Sequence, residues 1–250
     1  MNIFLFGVLP YIAMGVFVVG LIWRYRYDKF GWTTRSSQLY EAKLLRIGGP
    51  MFHFGIIMAV AGHAMGLLIP KSWTEAIGLS EHVYHMIAVA GGLTAGFLVT
   101  VGFLILLFRR RMVKTVFNAT TVSDKVMYAV LAVVVAAGMW NTISTATGWG
   151  LPTDFTYREN VSIWFRSLFT FQPNVDAMGM APLQFQLHAV LACVLMLIFP
   201  FTRLVHMRSV PVKYIVRPYI VYRTPGDRPG AAQGSRAPRG TWKSPTAAKK

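Results

Sequence analysis

Six histidines, His53, His63, His82, His85, His188 and His206, carry most of the chemical potential of this 250-residue chain. A neutral imidazole ligates metal through one nitrogen while the other hydrogen-bonds, and it titrates near neutrality. His53 and His63 stand inside one long apolar run, His188 inside another, and His206 just past the end of that second run. Ionisable side chains in lipid are costly and mark a function by default. One buried histidine is well explained by a hydrogen bond to a neighbouring helix. Four on two helices need four separate explanations.

Spacing sharpens this. His53 and His63 are ten residues apart, hence ~15 Å apart along a helix and turned ~80° from each other. Two axial ligands of one haem sit on opposite faces of a single iron, so these two cannot share a haem. Each needs a partner from another helix. His188 and His206, eighteen residues apart, are five full turns apart and share a face of a continuous helix. Pairing by depth joins His63 with His188 and His53 with His206. Two bis-histidine haems stacked across a membrane carry electrons rather than bind oxygen. One length does not close: a straight helix puts His188 and His206 ~27 Å apart, against ~15 Å for the other two. Pro200 lies between them and can kink the helix.

Gly62 and Gly66 flank His63, and Gly55 follows His53 by two. Such glycines suit close helix packing and a flat macrocycle equally well. Arg203 is placed to meet a haem propionate, or to snorkel as an ordinary interfacial arginine. His82 and His85, in Ser80-Glu-His-Val-Tyr-His85, are candidates for proton handling, with Glu81 as a relay to water. A quinol that gives up two electrons also loses two protons, and a histidine titrating near neutrality can take one.

The elements that position these residues are apolar runs long enough to cross a bilayer: Ile3–Trp23, Ile47–Ile69, Met86–Phe108, Val126–Ala146 and Leu183–Phe201. The first has no preceding positive charge and no small-residue cleavage site, and reads as a retained anchor. A soluble bundle would need polar helix faces, yet Gly91–Phe108 has only Thr94 and Thr100 as polar side chains. Hydrophobic residues make up 54% and charged residues 14%, against roughly a quarter charged in an average soluble chain. This excludes a disordered basic protein despite the net charge of +16.

Of the 25 lysines and arginines, all but Lys71, Arg158 and Arg166 fall in loops 24–46 and 109–125 and in the region from Arg203 onward, on one side of a five-span chain. Positive residues mark the cytoplasmic side, so the N-terminus is expected outside and the C-terminus inside. The charge is therefore an orientation signal and a docking surface, and no nucleic-acid partner is expected. An interfacial helix is expected within Val161–Phe171. The expected organisation is a five-helix membrane domain over 1–223 and a basic, disordered tail over 224–250. The single cysteine, Cys193, excludes an intrachain disulfide and a multi-thiolate iron–sulfur cluster on this chain.

Phe52-His-Phe-Gly-Ile56, Gly62-His-Ala-Met-Gly66, Leu187-His188, Phe199-Pro-Phe-Thr-Arg-Leu-Val-His206 and Ser209-Val-Pro-Val212 resemble the gamma subunit of membrane-bound respiratory nitrate reductase. The likeness runs from the first span to about Arg217. It implies an all-α integral membrane cytochrome b with two b-type haems, in the cytoplasmic membrane of a bacterium or archaeon. The outer haem would be held by His63 and His188 and the inner by His53 and His206. Menaquinol or ubiquinol would be oxidised at the outer face. Electrons would pass to cytoplasmic iron–sulfur (beta) and molybdenum (alpha) subunits, the last reducing nitrate. The best-known members of the family carry a lysine implicated in quinol binding just before the third span; this chain has none there, and His82 or His85 is the candidate to take its place. Dihaem anchors of heterodisulfide reductase, hydrogenase or formate dehydrogenase are the alternative, and a haem-free proton-coupled transporter a third.

Overall fold

The computed structural model describes residues 2–32, 36–153, 155–209 and 216. The expected tail lies outside them. Residues Met1–Ser209 form one unit, helical throughout its regular structure. Among the described residues five helices are long and apolar enough to cross a membrane: α1 (Ile3–Tyr27), α2 (Lys43–Leu68), α4 (Glu81–Met112), α6 (Val122–Thr147) and the run begun by α9, Leu183–Phe201. Short helices α3 (Lys71–Ala76), α5 (Lys114–Asn118), α7 (Val161–Leu168) and α8 (Val175–Gly179) lie in the connections.

The first four helices outrun the apolar stretches by about a turn, and in α4 and α6 the ends are set by caps rather than by hydrophobicity. Ser80 accepts the Val83 N–H before α4, and Arg109, Arg110 and Arg111 close its last turn, where positive charge suits the helix dipole. Thr121 and Asp124 form a reciprocal capping box at the start of α6, which ends on Gly148 at φ 72°. α1 begins with a π-helical stretch, Ile3–Val8.

Long apolar side chains such as Val19, Phe97 and Leu104 point away from the bundle, as lipid-facing residues must. Contact between helices is made by small residues. A Cβ on Gly55 would lie 2.7 Å from the Val99 amide nitrogen, and one on Gly102 would lie 2.5 Å from that of Phe52. These two glycines let the backbones of α2 and α4 nearly touch, which is how helices associate where lipid removes the hydrophobic drive between them. Gly55 thus serves helix packing. Gly20 does the same for α1, where a Cβ would come 2.7 Å from Pro200.

The fifth span differs from the expected continuous helix. α9 ends at Ile198; Phe199–Phe201 is a 3₁₀ turn, Thr202 is extended, and Arg203–Ser209 is a second 3₁₀ segment. Pro200 supplies no N–H and crowds the preceding turn, so the helix stops instead of bending. His206 is therefore not five straight turns from His188. The excess length is taken up at this break.

One buried clamp fixes the connection before α2. Arg109 is 2% exposed and donates to Glu41 Oε2 at 2.6 Å, to the Glu41 carbonyl at 2.6 Å, and to the Ser37 hydroxyl and carbonyl at 2.9 and 2.8 Å. Burial pushes the Glu41 carboxyl upward, but the Leu44 amide and Arg109 outweigh it and hold the group below its ordinary 4.5. A depressed carboxylate contributes stability that is complete above its unfolded value and fades as pH falls through the folded one. Amide hydrogen exchange over 36–44 should therefore stay slow down to about pH 4.5 and accelerate only below it. Arg109→Met should make the same amides exchange fast at neutral pH; unchanged protection would show that the clamp does not hold this segment.

Candidate functional site

α2 carries both His53 and His63, and the bundle brings a second imidazole to each. The rings of His63 and His188 have centroids 6.0 Å apart with planes at 31°. Those of His53 and His206 are also 6.0 Å apart, with planes at 66°. The depth pairing expected from spacing is the one the fold makes. Ordinary ring contacts in a core are satisfied by apolar neighbours, but here two polar rings face each other twice.

The hydrogen bonds decide which nitrogen is available. His53 Nδ1 donates to the Gly49 carbonyl at 2.7 Å, His63 Nδ1 to the Ala59 carbonyl at 2.7 Å, and His206 Nδ1 to the Arg203 carbonyl at 2.6 Å. A carbonyl can only accept, so the proton sits on Nδ1 and Nε2 keeps its lone pair. This is how proteins orient histidine ligands and fix their tautomer. Two imidazoles bound end-on to one metal, with roughly 2 Å per nitrogen–metal bond and about 1 Å from nitrogen to ring centre, have centroids about 6 Å apart. Among the described residues, no three His, Cys, Asp or Glu gather to hold a metal ion. Each pair could thus supply two nitrogen ligands to the metal of a prosthetic group that brings the rest of its own coordination. The backbone next to His63 carries no bulk, since Gly62 is exposed and nothing lies within 4 Å of a Cβ placed on it. The residues present fit a haem at each pair.

Other expected residues fall elsewhere. Gly66 meets the Tyr157 ring, 3.2 Å from a would-be Cβ. Arg203 makes a bidentate ion pair with Asp124, Nε to Oδ1 at 2.6 Å and Nη2 to Oδ2. That pair ties the 3₁₀ segment bearing His206 to the capping box of α6. Glu81 is held by Arg158, Nη1 to Oε2 at 2.9 Å. His82 and His85 are exposed on the first turns of α4.

Around the His63 end, α7 packs inward as well as lying across the bundle. Its Trp164 and Leu168 join Phe6, Val161, Ala177, Met178 and Ala181 in a buried cluster, so its apolar face is covered by the chain itself rather than by lipid. The Ser162 hydroxyl and Arg166 donate to the carbonyls of Gly66 and Leu67 at 2.8 and 3.2 Å. These carbonyls belong to the last turn of α2, where no intrahelical donor remains. Arg158, 3% exposed, also donates to the Thr74 hydroxyl at 2.9 Å and lies 3.8 Å over the Tyr84 ring. Burial and the neighbouring Tyr84 hydroxyl push the Tyr157 hydroxyl far up, so it stays protonated and neutral there.

Asp124, Arg158 and Gly138 were not singled out by spacing. The Thr121-x-x-Asp124 pattern announces a cap, but nothing local announces its distant arginine. Asp124→Ala removes the partner of a largely buried Arg203 and should lower stability by about 3 kcal/mol. Thr121→Ala, losing the cap alone, should cost about 1 kcal/mol. Thermal melting in detergent ranks the two, and equal losses would mean the ion pair adds nothing to the cap.

Comparison with known proteins agrees with this architecture. Residues 2–225 match the family model described as nitrate reductase gamma subunit. The chain is 53% identical over 218 residues to the nitrate reductase-like protein NarX of Mycobacterium tuberculosis, covering 87% of this chain and 33% of that protein. It thus spans about a third of the length of that mycobacterial relative. It is 40% identical to the nitrate reductase gamma chain of Bacillus subtilis, over 88% of this chain and 96% of the relative. It is 33% identical to the respiratory nitrate reductase 1 gamma chain of Escherichia coli, over 89% and 97%. On these matches the chain belongs to the nitrate reductase gamma subunit family.

Proposed function

We propose that the chain is the membrane anchor and quinol-oxidising cytochrome b subunit of a nitrate reductase. The observation that carries this is the pair of histidine pairs, each at 6.0 Å, set at two depths along α2. His63 with His188 would hold one haem and His53 with His206 the other. Bound haem would supply reversible one-electron transfer between the two faces of the membrane. What the chain itself contributes is position, tautomer and proton handling. The Nδ1–H bonds of His53, His63 and His206 hold Nε2 ready at each pair. The distribution of loop charges supports a topology with the His63 end and the N-terminus outside and the His53 end at the cytoplasm.

Quinol would be oxidised near the His63 end. His82 and His85, exposed beside it, would take protons from the quinol hydroxyls and release them to the outer water. Glu81, fixed by Arg158, keeps the first turn of α4 in place beside them. Protons released outside, with electrons moving inward, separate charge across the bilayer. The basic cytoplasmic loops would receive iron–sulfur and molybdenum subunits, where nitrate chemistry belongs, because Cys193 alone cannot hold a cluster.

Reduced-minus-oxidised spectra of membranes test the reading. Wild type should show b-type haem, His63→Ala or His188→Ala should lose about half of it, and His53→Ala or His206→Ala the other half. A haem complement unchanged when His53 and His63 are both alanine would sink the assignment. Co-purification with a molybdenum subunit separates it from the anchor of a hydrogenase or formate dehydrogenase. Orientation has its own test: in a Cys193→Ala background, Lys71→Cys should react with a membrane-impermeant maleimide in intact cells and Lys114→Cys should not. The reverse pattern would invert the topology.

A further inference from the structure

His188 differs from the other three paired histidines in what holds it. His53, His63 and His206 each donate Nδ1–H to a carbonyl of their own segment, three or four residues back. His188 Nδ1 is buried with no hydrogen-bond partner, and the nearby backbone is that of Val134, on α6. Four residues on from Val134, on the same face of that helix, is Gly138. A Cβ there would lie 3.1 Å from His188 Cε1, 3.7 Å from Nε2 and 3.8 Å from Nδ1. All three nearest atoms belong to the imidazole, so the Cε1 corner of the ring rests against the bare backbone of α6.

The contact belongs to a fixed register. Ser123 donates to the Phe201 carbonyl at 3.3 Å, Asp124 pairs with Arg203, and Gly138 meets His188. As numbers rise along α6 they fall along the fifth span, so the two run antiparallel and the seat cannot slide without breaking the Asp124–Arg203 pair.

We propose that Gly138 is a positioning residue for His188: α6, and not the histidine's own helix, sets the plane of that imidazole and hence its 31° angle to His63. The inference rests on the dihaem reading above and assigns the two haem sites different means of support. The His53/His206 ligands are oriented by their own backbones. The His63/His188 site is oriented partly by a third helix, through a contact that a side chain on residue 138 would tighten to 3.1 Å from the ring.

The test uses the complex in native membranes, with redox titration and low-spin electron paramagnetic resonance as readouts. The resonance anisotropy depends on the angle between axial ring planes. Gly138→Ala should displace or remove one of two haem signals and leave the other unchanged. Gly91→Ala, where nothing lies within 4 Å of the new Cβ, should leave both as they are. In a His188→Ala background the Gly138→Ala change should do nothing further, because the ring it strikes is gone. If Gly138→Ala alone fails to accumulate, adding His188→Ala should bring the protein back to the His188→Ala level. Two unchanged signals, two equally altered ones, or a defect that persists in the His188→Ala background would overturn the assignment and make Gly138 an ordinary packing glycine. Wild-type membranes with no b-type haem would instead overturn the dihaem reading itself.

Discussion

A single rigid helix sets the problem the rest of the bundle solves. α2 holds two imidazoles ~15 Å apart, and it cannot change that distance without losing its backbone hydrogen bonds. Every other element is arranged to deliver a partner ring at each of those two depths. α4 is drawn against α2 through Gly55 and Gly102, so that the rod has a wall along its length. The fifth span supplies both partners, and only by breaking does it do so. A straight helix would overshoot the second ring, and Pro200 ends it where the chain must turn.

The two rings on the fifth span are consequently held to different standards. His188 sits on a regular helix packed against α6. His206 sits on a 3₁₀ segment, a less rigid support. The compensation is electrostatic: Arg203, three residues before His206, grips Asp124 at the first turn of α6 while its carbonyl accepts the imidazole proton. One residue thus secures the segment and the tautomer together.

Much of this was legible in the chain itself. Apolar runs gave the spans within about a turn, because hydrocarbon thickness leaves little latitude in length. The numbering of His53, His63, His188 and His206 gave the ring pairing, because helix rise converts residue numbers into depth. What escaped were contacts between residues distant in sequence. Arg109 reads as one of three basic residues at a helix end, yet it is the buried one, and only the packed loop 36–42 explains why. Gly138 reads as a small residue in a membrane helix, and its partner is fifty residues away. Gly66 beside His63 invites a role at the ligand, whereas its neighbour is Tyr157, from a connection whose fold has no periodic signal. Local chemistry announces caps, breaks and depths; it does not announce which face of one helix meets which face of another.

The hydrogen bond from Trp164 Nε1 to the Phe6 carbonyl has a consequence in time. It joins residues 158 positions apart, the start of the first span to a helix that follows the fourth. During synthesis α1 enters the bilayer with its first turns unsealed, and it must wait for α7 before the buried cluster of Phe6, Trp164 and Met178 can close. Contacts of such separation are entropically the last to form. The end of the molecule that carries His63 is therefore completed only after the spans have been laid down.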